Sequence, residues 1–293
     1  MISAIPLPAL LALLSACLFA LSDQISNRGL DTIDPRTGAV VSVAASAACF
    51  WVAAPWLMDT AALFTTAAAL FALVGVFRPA LSMNLALIGI QYLGPTLAGT
   101  FSGTTLIWGG LLAVSVLGEQ LTLPVALGTA SVAAGILMTS LRPRGVVRHW
   151  PLWALLFPLG AAFIRGAAHI VTKFGYAQVP QPFLASLLST TVSAIVVLAA
   201  FRLRGGRFKS DRAGKGGGYI WLAIGGLLNG ASIFSLNTAL EHGTVVTVLP
   251  VSASTPVFTL ALGLLVFRRE TITWRTVATI ALIVPGVILV CLR

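Results

Sequence analysis

The chain has 293 residues, of which 58% are hydrophobic and 9% charged, with mean hydropathy +0.98 and a formal net charge of +10. Soluble domains carry about a quarter charged residues, so this composition excludes a water-soluble globular protein. A helix crossing a bilayer needs roughly 20 mostly apolar residues, which leaves room for about ten spans and little else.

In chain order, apolar runs bounded by charges, prolines or glycines predict helices at 8–28, 36–57, 63–92, 96–117 and 122–141. Five more follow at 151–173, 182–202, 217–240, 244–267 and 273–292. The expected fold is an all-α polytopic membrane protein with ten transmembrane helices. Met1–Pro6 carries no basic residue, so the first run reads as a retained helix rather than a cleaved signal. The third run holds Arg78-Pro79 at its centre. Residues 63–77 are too few to span alone, so this run reads as one helix, kinked at the proline, with an arginine inside the membrane.

The basic residues set the sidedness. Loops 28–36, 142–149, 202–215 and 268–275 hold 14 of the 18 lysines and arginines, while the opposite side has Lys173 and Arg293. Short cytoplasmic loops accumulate positive charge, so the arginine-rich side is expected in the cytoplasm and both termini outside. The glycine-rich basic segment 204–218 is the longest loop. Cys17, Cys49 and Cys291 lie in apolar stretches without metal-ligand spacing, so neither a disulfide framework nor a metal or other cofactor is expected.

An internal repeat divides the chain. Gly118-Glu119-Gln120-Leu121-Thr122 and Arg269-Glu270-Thr271-Ile272-Thr273 lie 151 residues apart, and Gly135-Ile136-Leu137 matches Gly286-Val287-Ile288 at the same offset. Each glutamate precedes an apolar run, where a carboxylate suits the positive end of a helix; the alternative is a part in gating. Residues 1–141 and 151–293 then form two five-helix halves joined by a linker at 142–150. Because five is odd, the second half enters the membrane with opposite orientation. Inverted repeats of this kind supply two exchangeable states, each open to one side, and so point to a transporter with a site near the midplane.

These residues resemble the drug/metabolite transporter superfamily, in its EamA-type exporters. The Gly-Glu-x-Leu-Thr turn before a glycine-bearing last helix carries the resemblance. So do Asn237-Thr238-Ala239-Leu240-Glu241-His242-Gly243 and Ser254-Thr255-Pro256-Val257, which look similar to the aromatic amino-acid exporter branch. The first half departs from the pattern, with Thr105 matching Pro256 and Gly118 matching Arg269. The resemblance implies a ten-helix fold, an inner-membrane location and export of amino acids or related metabolites.

Ionisable and amide groups inside a membrane are costly, which makes them candidates for the solute site. Asp23 and Asn27 share one face of the first helix. Arg78 and Asn84 lie in the third. Arg165, His169 and Lys173 recur in steps of four along the sixth, and Asn229 and Asn237 fall in the eighth. One reading pairs Asp23 with Arg165 or Arg78 as a buried ion pair. The other puts them around a wet cavity, where the arginines take a carboxylate and Asp23 an ammonium group. His169 reads either as a proton-linked switch or as a helix contact. Trp108, with Trp51, Phe101 and Phe163, offers aromatic walls. Thr104, Ser252 and Thr255 present hydroxyls to a solute or bond back to their own helices.

An enzyme is disfavoured: no H-E-x-x-H motif exists, Gly99-Thr100-Phe101-Ser102-Gly103 lacks the glycine of a rhomboid-type serine motif, and Asp23 has no second carboxylate for aspartyl chemistry. The expectation is a monomeric secondary transporter, in contact with lipid and a small solute but not with nucleic acid. Amino acids or similar zwitterions are its expected cargo. Cationic drugs or polyamines are the alternative.

Overall fold

The computed structural model describes residues 6–58, 60–140, 152–206, 208, 217–266 and 274–291. Among them the regular structure is helical. The linker at 142–150, Arg269 and Glu270 lie outside the described residues. In the first part of the chain run α1 (Leu7–Leu30), α2 (Pro35–Leu57), α3 (Thr66–Gly75), α4 (Ser82–Ser102), α5 (Thr105–Leu117) and α6 (Leu123–Ser140). In the second run α7 (Leu156–Gln178), α8 (Pro182–Leu203), α9 (Gly217–His242), α10 (Val245–Ser252), α11 (Thr255–Leu265) and α12 (Trp274–Cys291). Six stretches, with α10 and α11 taken together as one, are long and apolar enough to cross a membrane; shorter apolar helices lie between them. The protein is a multi-pass membrane protein.

Local chemistry sets several of these ends. Asp34 caps α2, its carboxylate accepting from the Thr37 amide at 3.0 Å ahead of Pro35 in the first turn. Thr65 caps α3 in the same way. Gly118 ends α5 in the left-handed conformation, φ 67°, which costs a glycine little.

Three predicted spans are interrupted. The run 63–92 breaks at Arg78, whose φ of −130° and ψ of 125° lie in the extended region that a following proline imposes. A wide helical turn, Val76–Leu81, carries that kink. Pro79 has no amide hydrogen to offer the carbonyl of Gly75, four residues back. The Ser193 hydroxyl takes its place, donating to the Gly75 carbonyl at 2.8 Å and to the Arg78 carbonyl at 2.5 Å. The runs 96–117 and 244–267 break at Gly103–Thr104 and Ala253–Ser254. Between 92 and 96, where two helices were expected to meet, α4 continues without a break.

Small residues knit the helices together, as they must where lipid removes the hydrophobic drive for association. Along α1 and α9, Ser15 and Ser232 donate to each other's carbonyls at 3.0 and 2.7 Å, and Ser22 donates to Gly225 at 2.8 Å. Helices α6 and α12 meet at Gly128 and Gly286. A Cβ on Gly128 would lie 2.6 Å from the Gly286 carbonyl, and one on Gly286 would lie 2.8 Å from the Gly128 carbonyl. Large apolar side chains such as Leu152, Leu203 and Leu265 point outward, as a lipid-facing surface requires.

Candidate functional site

A cavity of about 360 Å³ lies between α1, α2, α7, α8, α9 and the kinked α3–α4 segment. Phe19, Ser46, Arg165, Ser193 and Asn229, which line it, sit near the middle of α1, α2, α7, α8 and α9 respectively. The chamber therefore lies about halfway along the bundle. Arg78, from the kink, and Arg165, from α7, line it together with Asn229 and Asn237 on α9. No carboxylate is among the described residues that line it.

The kink explains the position of Arg78. An uninterrupted helix would carry the side chain round with its turn, but the extended pre-proline backbone redirects the chain at this residue. His169, buried at 6% exposure, meets it: Nε2 lies 3.2 Å from Arg78 Nη1. A guanidinium has only donors, so the imidazole nitrogen accepts and its proton sits on Nδ1. His169 thus contacts Arg78 and is not among the described residues that line the chamber.

Four of the twelve residues singled out from the sequence line this cavity: Arg78, Arg165, Asn229 and Asn237. His169 joins them through Arg78. Asn237 also donates from Nδ2 to Ser186 Oγ at 2.8 Å. Asp23 is exposed on α1 rather than buried between the arginines. It continues the face of Phe19 by one turn towards Arg28, and Asn27, also exposed, continues it by another. Asn84 accepts from Arg204 Nη2 at 3.2 Å, away from the lining. Trp108 packs edge-on against Phe163 with ring centres 5.4 Å apart. Thr104, Ser252 and Thr255 donate to the carbonyls three residues earlier, at 2.6, 2.9 and 2.9 Å, and serve the helix breaks instead of the chamber.

The sequence reading missed a hydroxyl surface. Ser82, Ser189, Thr190 and Ser193 line the chamber. The signal was the polar run Ser186-Leu187-Leu188-Ser189-Thr190-Thr191-Val192-Ser193 inside an otherwise apolar helix. It also placed Glu119 at the wrong partner. Its carboxylate does not cap the helix that follows; it reaches across 126 residues to the first amides of α10.

The EamA-like transporter family matches this sequence twice, over residues 6–141 and 152–292. The chain belongs to the EamA-like transporter family. A curated relative, an uncharacterized transporter in the cobO 3' region of Sinorhizobium sp, is 31% identical over 134 residues, covering 45% of this chain and 91% of that protein. A solved structure described only as a crystal structure of a protein superposes with TM-score 0.79 at 15% identity, covering 97% of this chain and 96% of that one. The fold of this EamA-like transporter is thus shared over essentially its whole length.

Proposed function

We propose that this EamA-like transporter exports small carboxylate-bearing metabolites, amino acids among them, across the inner membrane by alternating access. The two family matches support reading 1–141 and 151–293 as inverted five-helix halves that rock about the chamber. The observation that carries the cargo assignment is the pair Arg78 and Arg165 facing a cavity with no carboxylate in its described lining. Guanidiniums in a part-desolvated site bind carboxylates through charge-assisted hydrogen bonds. The oxygens of Asn229 and Asn237, with the hydroxyls of α8, are available to an ammonium group. The volume suits one small molecule.

Because Asp23 stands outside the chamber, a net-anionic carboxylate without an amino group is the second reading. A cation or polyamine fits least, since both fixed charges would repel it. The aromatic branch of the amino-acid exporters is one case of the first reading, and the exporter would work as a monomer without a cofactor.

The test is counterflow in liposomes with labelled amino acids, simple carboxylates and polyamines. Arg165→Ala is expected to cut carboxylate flux by roughly 10- to 100-fold, the loss of one charged hydrogen bond. Undiminished amino-acid flux in that variant, or polyamine flux in the native protein, overturns the assignment.

A further inference from the structure

Helix α1 carries a charge that the chamber leaves unused. Leu7, Leu10 and Leu14 mark the outer face of this helix, each about half exposed, as contact with lipid requires. Asp23 follows Leu14 by nine residues, about two and a half turns, and so lies on the opposite, inner face. Ala12 and Ala16 share that inner face about three and two turns earlier, and both are fully buried. The contacts beside Asp23 agree with this placement. Ser22, on one flank, donates to the Gly225 carbonyl of α9 at 2.8 Å, and Gln24, on the other, donates to the Thr259 carbonyl of α11 at 3.3 Å. Both are buried, yet Asp23 between them is exposed, and so is Asn27 one turn on.

A residue on the inner face of a helix that is nonetheless exposed looks into a gap in the bundle. The inner face of α1 is closed at Ala12 and Ala16, meets the chamber at Phe19, and opens at Asp23 and Asn27. At 1.5 Å per residue, Asp23 lies about 10 Å short of Leu30, where α1 ends. A carboxylate at that depth is stable only where water or a cation reaches it. Asp23 makes no ion pair with a described residue, so the gap is a water-filled vestibule between the chamber and the end of the bundle that bears Arg28. By the loop charges this is the cytoplasmic end, where cargo for export enters.

The charges along this path are ordered. Arg28, Arg36, Arg202 and Arg204 stand at its outer end, Asp23 in the vestibule, and Arg78 and Arg165 in the chamber. Basic groups at both ends draw in any carboxylate, but a solute of net negative charge must pass a fixed carboxylate that repels it. A zwitterion passes without that penalty, because its ammonium group pairs with Asp23 and the Asn27 carboxamide oxygen can accept a second hydrogen. We propose that Asp23, with Asn27 beside it, is an entry site for an ammonium group, which selects amino acids over simple carboxylates before the arginines take the carboxyl end. The proposal rests on the carboxylate reading above and narrows it to zwitterions.

The test uses the full chain with Cys17, Cys49 and Cys291 replaced by alanine and single cysteines placed along α1. A charged, membrane-impermeant thiol reagent is added to either face of sealed vesicles. Asp23→Cys and Asn27→Cys are expected to react from the Arg28 side at least tenfold faster than Leu14→Cys, which faces lipid, or Ala16→Cys, which is packed. Rates at Asp23 and Asn27 no faster than at Leu14 overturn the vestibule. Flux is then measured in liposomes for an amino acid and for the same carboxylate without its amino group. Asp23→Asn should raise the KM for the amino acid about tenfold, the loss of one charged hydrogen bond, and leave or lower the KM for the other solute. An amino-acid KM that does not move, or that moves equally for both solutes, overturns the selection. Labelling needs no solute. A reactive Asn27→Cys in a protein that carries neither solute therefore defeats the cargo assignment together with the selection built on it, whereas native protein that carries only the carboxylate without its amino group defeats the selection alone.

Discussion

Arg78 shows how a single backbone constraint places a charge. The pre-proline conformation takes the residue out of the helix, the Ser193 hydroxyl satisfies the carbonyls left over, and His169 holds the guanidinium from behind. If accepting from Arg78 is the task of His169, an acceptor at the same reach should serve. His169→Gln is expected to keep most of the carboxylate flux, while His169→Leu loses about tenfold, the worth of one hydrogen bond to a charged group. Flux measured in liposomes decides it, and equal loss in both variants would point to proton exchange instead. Tyr176 makes the opposite case. Its hydroxyl is buried without a partner among the described residues, so Tyr176→Phe should raise stability by about 1 kcal/mol rather than lower it, readable as a higher melting temperature in detergent.

Among the elements, close approach is the recurring device. Gly75 lets α3 touch α8, where a Cβ would come within 2.5 Å of the Ser189 carbonyl, and the same contact carries Ser193 to the kink. Gly128 and Gly286 do this for α6 and α12, and Ser131 adds a hydrogen bond to the Leu282 carbonyl at 2.7 Å. A larger side chain there must push two backbones apart. Gly286→Val is expected to destabilise the protein by about 1–3 kcal/mol, the usual cost of overpacking, and to lower its melting temperature accordingly. An unaltered melting curve would mean that α6 and α12 do not pair in the membrane. The sequence sets Gly135 against Gly286 as a match at an offset of 151 residues. It did not reveal that Gly286 meets Gly128, because sequence offset carries no information about which faces meet.

For the whole molecule, the charge asymmetry predicts the topology directly. With 14 basic residues on one side, reporter domains fused to the loop near Arg204 should be cytoplasmic and those near Gly243 external. The reverse result would put both termini in the cytoplasm. Composition alone established a membrane protein, since a chain this apolar has no soluble alternative. The long apolar runs and the proline after Arg78 were equally legible, being properties of the chain read in order, although three of the expected runs are interrupted. Asp23 and Glu119 were not. Asp23 shares the face of Phe19 but lies one turn further along α1, and where along a helix a chamber ends is set by packing against neighbours. Which helix end receives a carboxylate depends on elements more than a hundred residues apart in the chain. Periodicity fixes which residues share a face; only the tertiary arrangement of small residues decides what that face meets, and so gathered two arginines around one cavity and left the aspartate outside it.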